Sequence, residues 1–337
     1  MAFRGGGTPC PVAPAGEGSV ATEIAFVFPG QGSQSPGMGA DLLERSPSLR
    51  RALRLAEEIT RSDLTGAMLH GPAERLGATV TTQATVFAVS VAVAELAAER
   101  GFRPAAVAGH SLGEFSALVA GGWLDLASAT RAVVLRAQAM ERCCVSSPGA
   151  MAAVIGLDVE RVAPLLPSGS DVVVANVNGP GQVVLSGPSA EVSSLEEPLL
   201  AAGAAGYQRL PVAGAFHSPL MAAAQQEFAP VVDTLPLRPG HTPMVSSITG
   251  GLVEDVDTYR ELLRGQITAP VQWERTATTL LRLCPDGAVE MGPGRVLRGL
   301  LRRVDRSWPV ANCRAWPDLP ALAHRFGTDP ATRLPVG

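Results

Sequence analysis

Gly109-His110-Ser111-Leu112-Gly113 sets a serine between two glycines, where a short apolar run, Ala105 to Gly109, meets a helix-prone segment. A G-x-S-x-G turn between strand and helix is a nucleophile elbow: it lifts the hydroxyl clear of its neighbours and aims the next amide into the same space. The chemistry open to it is acyl transfer through a serine ester. The alternative is a turn that only starts a helix, because so short a pattern also arises by chance. The hydroxyl needs a base, and among the five histidines the best placed is His217, in Gly214-Ala215-Phe216-His217-Ser218. Its position at the return to the main sheet suits a base, while a cap for a helix beginning at Pro219 is the other reading. His110 supports the loop beside the serine, and His70, His241 and His324 are ordinary surface or loop histidines.

Arg136 is the third informative residue. On a helix from Asp125 to Arg142 it shares one stripe with Ala129, Val133 and Met140, so it faces the interior. A buried guanidinium requires a partner. That partner is either an internal Asp or Glu or the carboxylate of a substrate, which the planar fork fits.

These residues need a scaffold. Ile24 to Phe28 reads as a buried strand stopping at Pro29-Gly30, which puts the stretch Gln31 to Gly37 at a strand's C-terminal end, where open parallel sheets bind ligands. Thr85 to Arg100 and Asp125 to Arg142 have helical spacing around the central strand. From Met151 to Val212 the order becomes β-α-β-β-α-β, a ferredoxin-like unit. Pro243 to Thr249 and Ala288 to Met291 read as further main-sheet strands. The expected fold is α/β: an α/β-hydrolase-like large domain over 23–147 and 214–318 with a mainly parallel sheet, and an inserted ferredoxin-like small domain over 148–213. Residues 1–22 and 319–337 read as tails.

Composition narrows the function. The chain has 337 residues, 46% hydrophobic and 17% charged, with a net charge of -4, the balance of a packed enzyme. Every basic residue is arginine, so lysine nucleophiles and Schiff bases are excluded. No polybasic run tracks a phosphate backbone, and nucleic acid is not an expected partner. The five cysteines lack zinc-site spacing and are too few for a disulfide scaffold, which fits a reduced cytoplasmic protein without a metal. No apolar run of membrane-spanning length is read, and no secretory signal.

Phe28-Pro29-Gly30-Gln31-Gly32-Ser33-Gln34, Gly109 to Glu114, Arg136, Gly214 to Ser218, Pro270-Val271-Gln272-Trp273 and Met291-Gly292-Pro293-Gly294 fall in order along the chain. Over roughly residues 24 to 305 the sequence resembles the malonyl-CoA:acyl-carrier-protein transacylases and the acyltransferases of polyketide synthases. The resemblance implies Ser111 as the acylated nucleophile, His217 as its base, and the amides of Gln31 and Leu112 as the oxyanion hole. It implies Arg136 as the clamp on the acyl carboxylate and the carbonyl of Gln266 as the group orienting the histidine. Gln83, Ser247 and Val271 match other pocket-lining positions, and His110 joins the substrate-binding set. Phe216 resembles the malonyl-selective form, although Gly214 departs from the histidine that modular synthases place there. The implied reaction is ping-pong, with a CoA thioester as donor, the phosphopantetheine arm of an acyl carrier protein as acceptor and no bound cofactor. A monomer acting in trans in polyketide or fatty acid biosynthesis is expected. Arg295, Arg298, Arg302 and Arg303 would receive an acidic carrier protein, or else form a solvated helix face.

Three rivals remain at this level: a serine esterase or thioesterase on the same elbow; an acyltransferase for a branched unit or between two carrier proteins; and an inactive scaffold that recruits carriers. Arg136 has no task in the first, and the intact Ser111, His217 and Arg136 set has none in the last.

Overall fold

The structure, a computed structural model, describes residues 22–327. The expected N-terminal tail lies outside the described residues apart from Thr22. Along the chain come β1 (Ile24–Phe28) and β2 (Ala106–Gly109), then β3 (Gly149–Ile155), β4 (Val173–Gly179), β5 (Gln182–Pro188) and β6 (Gly206–Arg209), and finally β7 (Met244–Val245), β8 (Gly287–Met291) and β9 (Val310–Cys313).

The large sheet has the order β7-β2-β1-β8-β9, with every pair parallel. Its central strands β1 and β2 read as continuous apolar runs because helices cover both faces. Alternation within β1 divides the core: Phe26 and Phe28 pack with the helices Thr79–Glu99 and Leu126–Ser146, whereas Ala25 and Val27 pack with Trp273–Leu283 and Val296–Val304. Thr79–Glu99 is long and apolar enough to cross a membrane, contrary to the expectation that no such segment exists, yet 83% of that window is buried inside the fold. It is apolar all round because it is a core helix.

The small sheet runs β4-β5-β3-β6 with every pair antiparallel, the strand order of a split βαβ unit. Its two faces also divide. Ala150, Ala152 and Val154 of β3 pack under the helices beside this sheet, while Met151 and Ala153 join the core that also holds Phe26 and Phe28 of the large sheet. Two backbone bonds, Val177 N–H to Val271 at 2.9 Å and Val271 N–H to Ala175 at 2.8 Å, tie β4 to the large domain.

Two boundaries differ from expectation. The strand sought over Pro243 to Thr249 is only Met244–Val245, since Ser246 turns the chain through its contacts with Gly250 and Gly251. The segment from Leu319, expected as a tail, is not loose. A helix at Leu319–Phe326 buries Leu319, Leu322 and Phe326, and the Thr22 hydroxyl donates to the Phe326 carbonyl at 3.0 Å. The remainder of that expected tail, 328–337, lies outside the described residues.

Candidate active site

The site lies at the C-terminal end of β2. Ser111 has a φ of 51°, a left-handed conformation that costs a non-glycine residue about 1–3 kcal/mol and holds its hydroxyl outward. The flanking glycines make the turn possible: a Cβ on Gly109 would stand 1.9 Å from the Gly113 carbonyl carbon, and one on Gly113 would stand 2.0 Å from the Phe28 oxygen. The turn is therefore packed tightly against β1 and the start of the helix Gly113–Ala120.

Ser111 Oγ and His217 Nε2 are 2.8 Å apart. On the far side of the ring, Nδ1 lies 2.9 Å from the Ala269 carbonyl and 3.2 Å from that of Gln266. Two acceptors there fix the tautomer: Nδ1 carries the proton and Nε2 is free to take one from the serine. Among the described residues, no carboxylate bonds to the histidine. Burial, followed by the Arg136 cation, pushes His217 down to about 3, so the ring is neutral around pH 7.

Arg136 is 1% exposed and lies on the helix Leu126–Ser146, as its stripe requires. It donates through Nη2 to Ser111 Oγ at 3.1 Å, through Nη1 to Gln83 Oε1 at 2.8 Å and through Nε to Gln266 Oε1 at 3.1 Å. A guanidinium carries five N–H groups, which leaves two uncommitted among the described residues. Burial lowers Arg136 to about 10, opposed by the charge of Glu114. Among the described residues it has no direct ion pair, so the internal salt bridge allowed by the pattern is absent.

These groups open on a cavity of about 100 Å³ lined also by Gln31, Gln83, His110, Leu112 and Phe216, together with Met140, Met151, Asn176, Leu210 and Val212. The cavity is small, a size that suits a short acyl group. Neither the Gln31 nor the Leu112 amide has a hydrogen-bond acceptor among the described residues, which leaves both able to donate to a substrate oxyanion. A larger groove of about 760 Å³, around Glu160, Gln272 and Arg275, contains none of these residues.

Other expected site residues lie elsewhere. Ser247 does not line the cavity: its amide donates to Glu114 at 2.7 Å, behind the nucleophile. Val271 is likewise outside, held in the bridge to β4. Gln266 stands behind the cavity wall. His110 lines the cavity with Nε2 3.1 Å from Asn178 Oδ1 and 3.3 Å from Asn176 Nδ2, and burial lowers its pKa. Arg295, Arg302 and Arg303 are exposed on or beside the helix Val296–Val304, but Arg298 is half-buried with its Nε unpartnered. Ala269, Asn176 and the buried Glu114 are missing from the expected set. Asn176 had a visible signal, as a polar residue within the apolar run of β4.

Comparison with known proteins agrees with this geometry and bears out the resemblance. The chain matches the family described as "Acyl transferase domain" over residues 25–320. It is 36% identical over 289 residues to a malonyl CoA-acyl carrier protein transacylase of Bacillus subtilis, spanning 85% of this chain and 91% of that one. The crystal structure of a malonyl-CoA:acyl carrier protein transacylase from Xanthomonas oryzae superposes with a TM-score of 0.84 at 36% identity, covering 91% of this chain and 99% of that chain. A type II PKS malonyl-transacylase in complex with its acyl-carrier protein gives a TM-score of 0.84 at 34% identity, with coverages of 89% and 98%. Matched over most of its length, the chain belongs to the acyl transferase domain family and is an acyltransferase.

Proposed function

We propose that the protein moves a malonyl group from coenzyme A to the phosphopantetheine thiol of an acyl carrier protein through an ester on Ser111. The carrying observation is Arg136: a buried cation with two uncommitted N–H groups, bonded to the nucleophile in a cavity of about 100 Å³. It supplies a place for the carboxylate of a short dicarboxylic acyl group. In the first half-reaction His217 Nε2 takes the Ser111 proton, Oγ bonds to the thioester carbon, and the amides of Gln31 and Leu112 receive the oxyanion. The C–S bond then breaks and the histidine returns its proton to the departing thiol. In the second half-reaction the carrier thiol gives its proton to His217, attacks the ester and releases Ser111. The CoA thioester and the phosphopantetheine arm both enter as substrates, and this chemistry uses no resident cofactor.

Phe216, 5% exposed and on the cavity wall, favours malonyl over an α-branched unit, though a methylene in such a pocket discriminates by only about 1–3 kcal/mol. The carrier would dock on Arg295, Arg302 and Arg303. The reading is of a monomer acting in the cytoplasm, in polyketide or fatty acid biosynthesis. The free buried thiols of Cys143, Cys144, Cys284 and Cys313 suit a reducing compartment.

Intact-protein mass spectrometry after incubation with malonyl-CoA tests the proposal. A malonyl increment is expected on the wild type and none on Ser111→Ala. Arg136→Ala is expected to lose malonyl loading by about 10- to 100-fold, the worth of one or two hydrogen bonds to a charged group. Loading of malonyl that is indifferent to Arg136 would favour a hydrolase on the same elbow.

A further inference from the structure

Glu114 follows the nucleophile turn and is fully buried, at 0% exposure, in the first turn of the helix Gly113–Ala120. It touches neither Arg136 nor the cavity. One oxygen accepts from the Ser247 amide at 2.7 Å and the Ser246 hydroxyl at 3.0 Å, and the other accepts from Gln266 Nε2 at 2.7 Å. The same Gln266 nitrogen donates to the Ser111 carbonyl at 3.1 Å, while Gln266 Oε1 accepts from Arg136 Nε at 3.1 Å. The Gln266 backbone oxygen faces His217 Nδ1. One glutamine thus contacts the nucleophile's turn, the clamp and the base.

Donor and acceptor types give this chain a direction. A guanidinium can only donate, an ionised carboxylate can only accept, and the amide between them offers one side of each kind. The amide therefore fits in one orientation, with its oxygen toward Arg136 and both N–H groups spent on Glu114 and Ser111. Burial raises Glu114 above the ordinary carboxylate range, opposed by the bonds from Ser247, Gln266 and Ser246; three donors aimed at its two oxygens suit an accepting carboxylate. An acid in direct contact with Arg136 would occupy the fork that an acyl carboxylate needs. Set one amide away, it balances the buried cation and leaves two N–H groups uncommitted.

We propose that Glu114 is a positioning residue that locks the orientation of Gln266, and through it aims the Arg136 clamp and steadies the Ser111 turn without entering the acyl cavity. This rests on the malonyl reading above. Wild-type acylation of Ser111 tests that reading, whereas the variants below test the relay.

The test is single-turnover loading of Ser111 from malonyl-CoA and, separately, from acetyl-CoA, which has no carboxylate for the clamp. Glu114→Gln places an amide N–H₂ against that of Gln266 and forces one of them to turn. Malonyl loading is expected to fall about 10- to 100-fold, the scale of a hydrogen bond to a charged group, with a smaller fall for acetyl, so that the malonyl preference narrows. Gln266→Met keeps the backbone carbonyl for His217 and removes the relay, and it is expected to narrow the preference equally. The double variant should then be no worse than Gln266→Met alone, since both changes break one chain. Equal losses with both thioesters in Glu114→Gln would overturn the proposal, as would additive losses in the double variant. Should Glu114→Gln fail to fold, Gln266→Met decides alone: a narrowed preference supports the relay and an unchanged one refutes it.

Discussion

His217, the base in the reaction proposed above, is held neutral by its surroundings, and the two largest causes differ in kind. Burial is a property of the fold, whereas the field of Arg136 depends on what that cation binds. A carboxylate arriving on Arg136 cancels that field and lets the histidine's pKa climb from about 3 toward the range where proton transfer is efficient. Occupation of the clamp and basicity of the catalyst are thereby linked. The sign of the effect on pH dependence follows: a base pushed down stays deprotonated to lower pH, so kcat/KM for malonyl-CoA should remain level from about pH 7.5 to pH 5. The acid limb of kcat, which reports the occupied site, should lie at higher pH than that of kcat/KM. In Arg136→Ala the kcat/KM limb should also move up, because a repelling cation has gone. Initial rates across that range check this, and a kcat/KM limb centred near 6.5 in the wild type would contradict it.

Among the elements, the elbow depends most on close approach. A Cβ on Gly113 meets the Phe28 oxygen at 2.0 Å, whereas one on Gly299, inside the helix Val296–Val304, meets nothing within 4 Å. Gly113→Ala should lower unfolding free energy by about 1–3 kcal/mol through overpacking, and transfer should fall as the serine shifts from its base. Gly299→Ala should gain about 0.4–1 kcal/mol by restricting the unfolded chain. Denaturant midpoints measure both, and a stable Gly113→Ala would show that the strand and helix can part. The elbow was legible in the sequence because its signal is local, and Arg136 because a helix repeats every 3.6 residues. Ala269 was not, since any residue type presents the same carbonyl. Glu114 was visible as a letter but not as a partner: its contacts lie 132, 133 and 152 residues away. The fifth strand, Val310–Cys313, is short and interrupted by Asn312, whose amide reaches the buried Glu290 at 2.7 Å. Without that partner in view, the asparagine reads as a loop residue.

At the scale of the whole molecule, the second half-reaction proposed above would require a protein surface as well as a site. The helix Val296–Val304 buries Leu297, Leu300 and Leu301 and presents Arg302 and Arg303 outward, with Arg295 and Val296 at its start. It sits where three parts meet. A Cβ on Gly294 would lie 2.9 Å from Ser33, in the loop that supplies the Gln31 amide, and the Cβ position of Gly179, at the end of β4, lies 3.6 Å from the Arg303 Cβ. A carrier seated there would stand beside both sheets, close to the loop that carries Gln31. The chain's net charge of -4 repels an acidic partner in general, so a local basic face gives the encounter its direction. Reversing Arg302 and Arg303 together to glutamate should lower kcat/KM for the carrier by about tenfold, with most of the loss in association. Added salt should narrow the gap between variant and wild type, because it screens the exposed charges. Malonylation of Ser111 from malonyl-CoA should be unchanged, as neither arginine lines the acyl cavity. Measuring the half-reactions separately keeps the outcomes distinct: equal loss in both would mean a damaged fold, and loss in neither would mean the carrier approaches by another face.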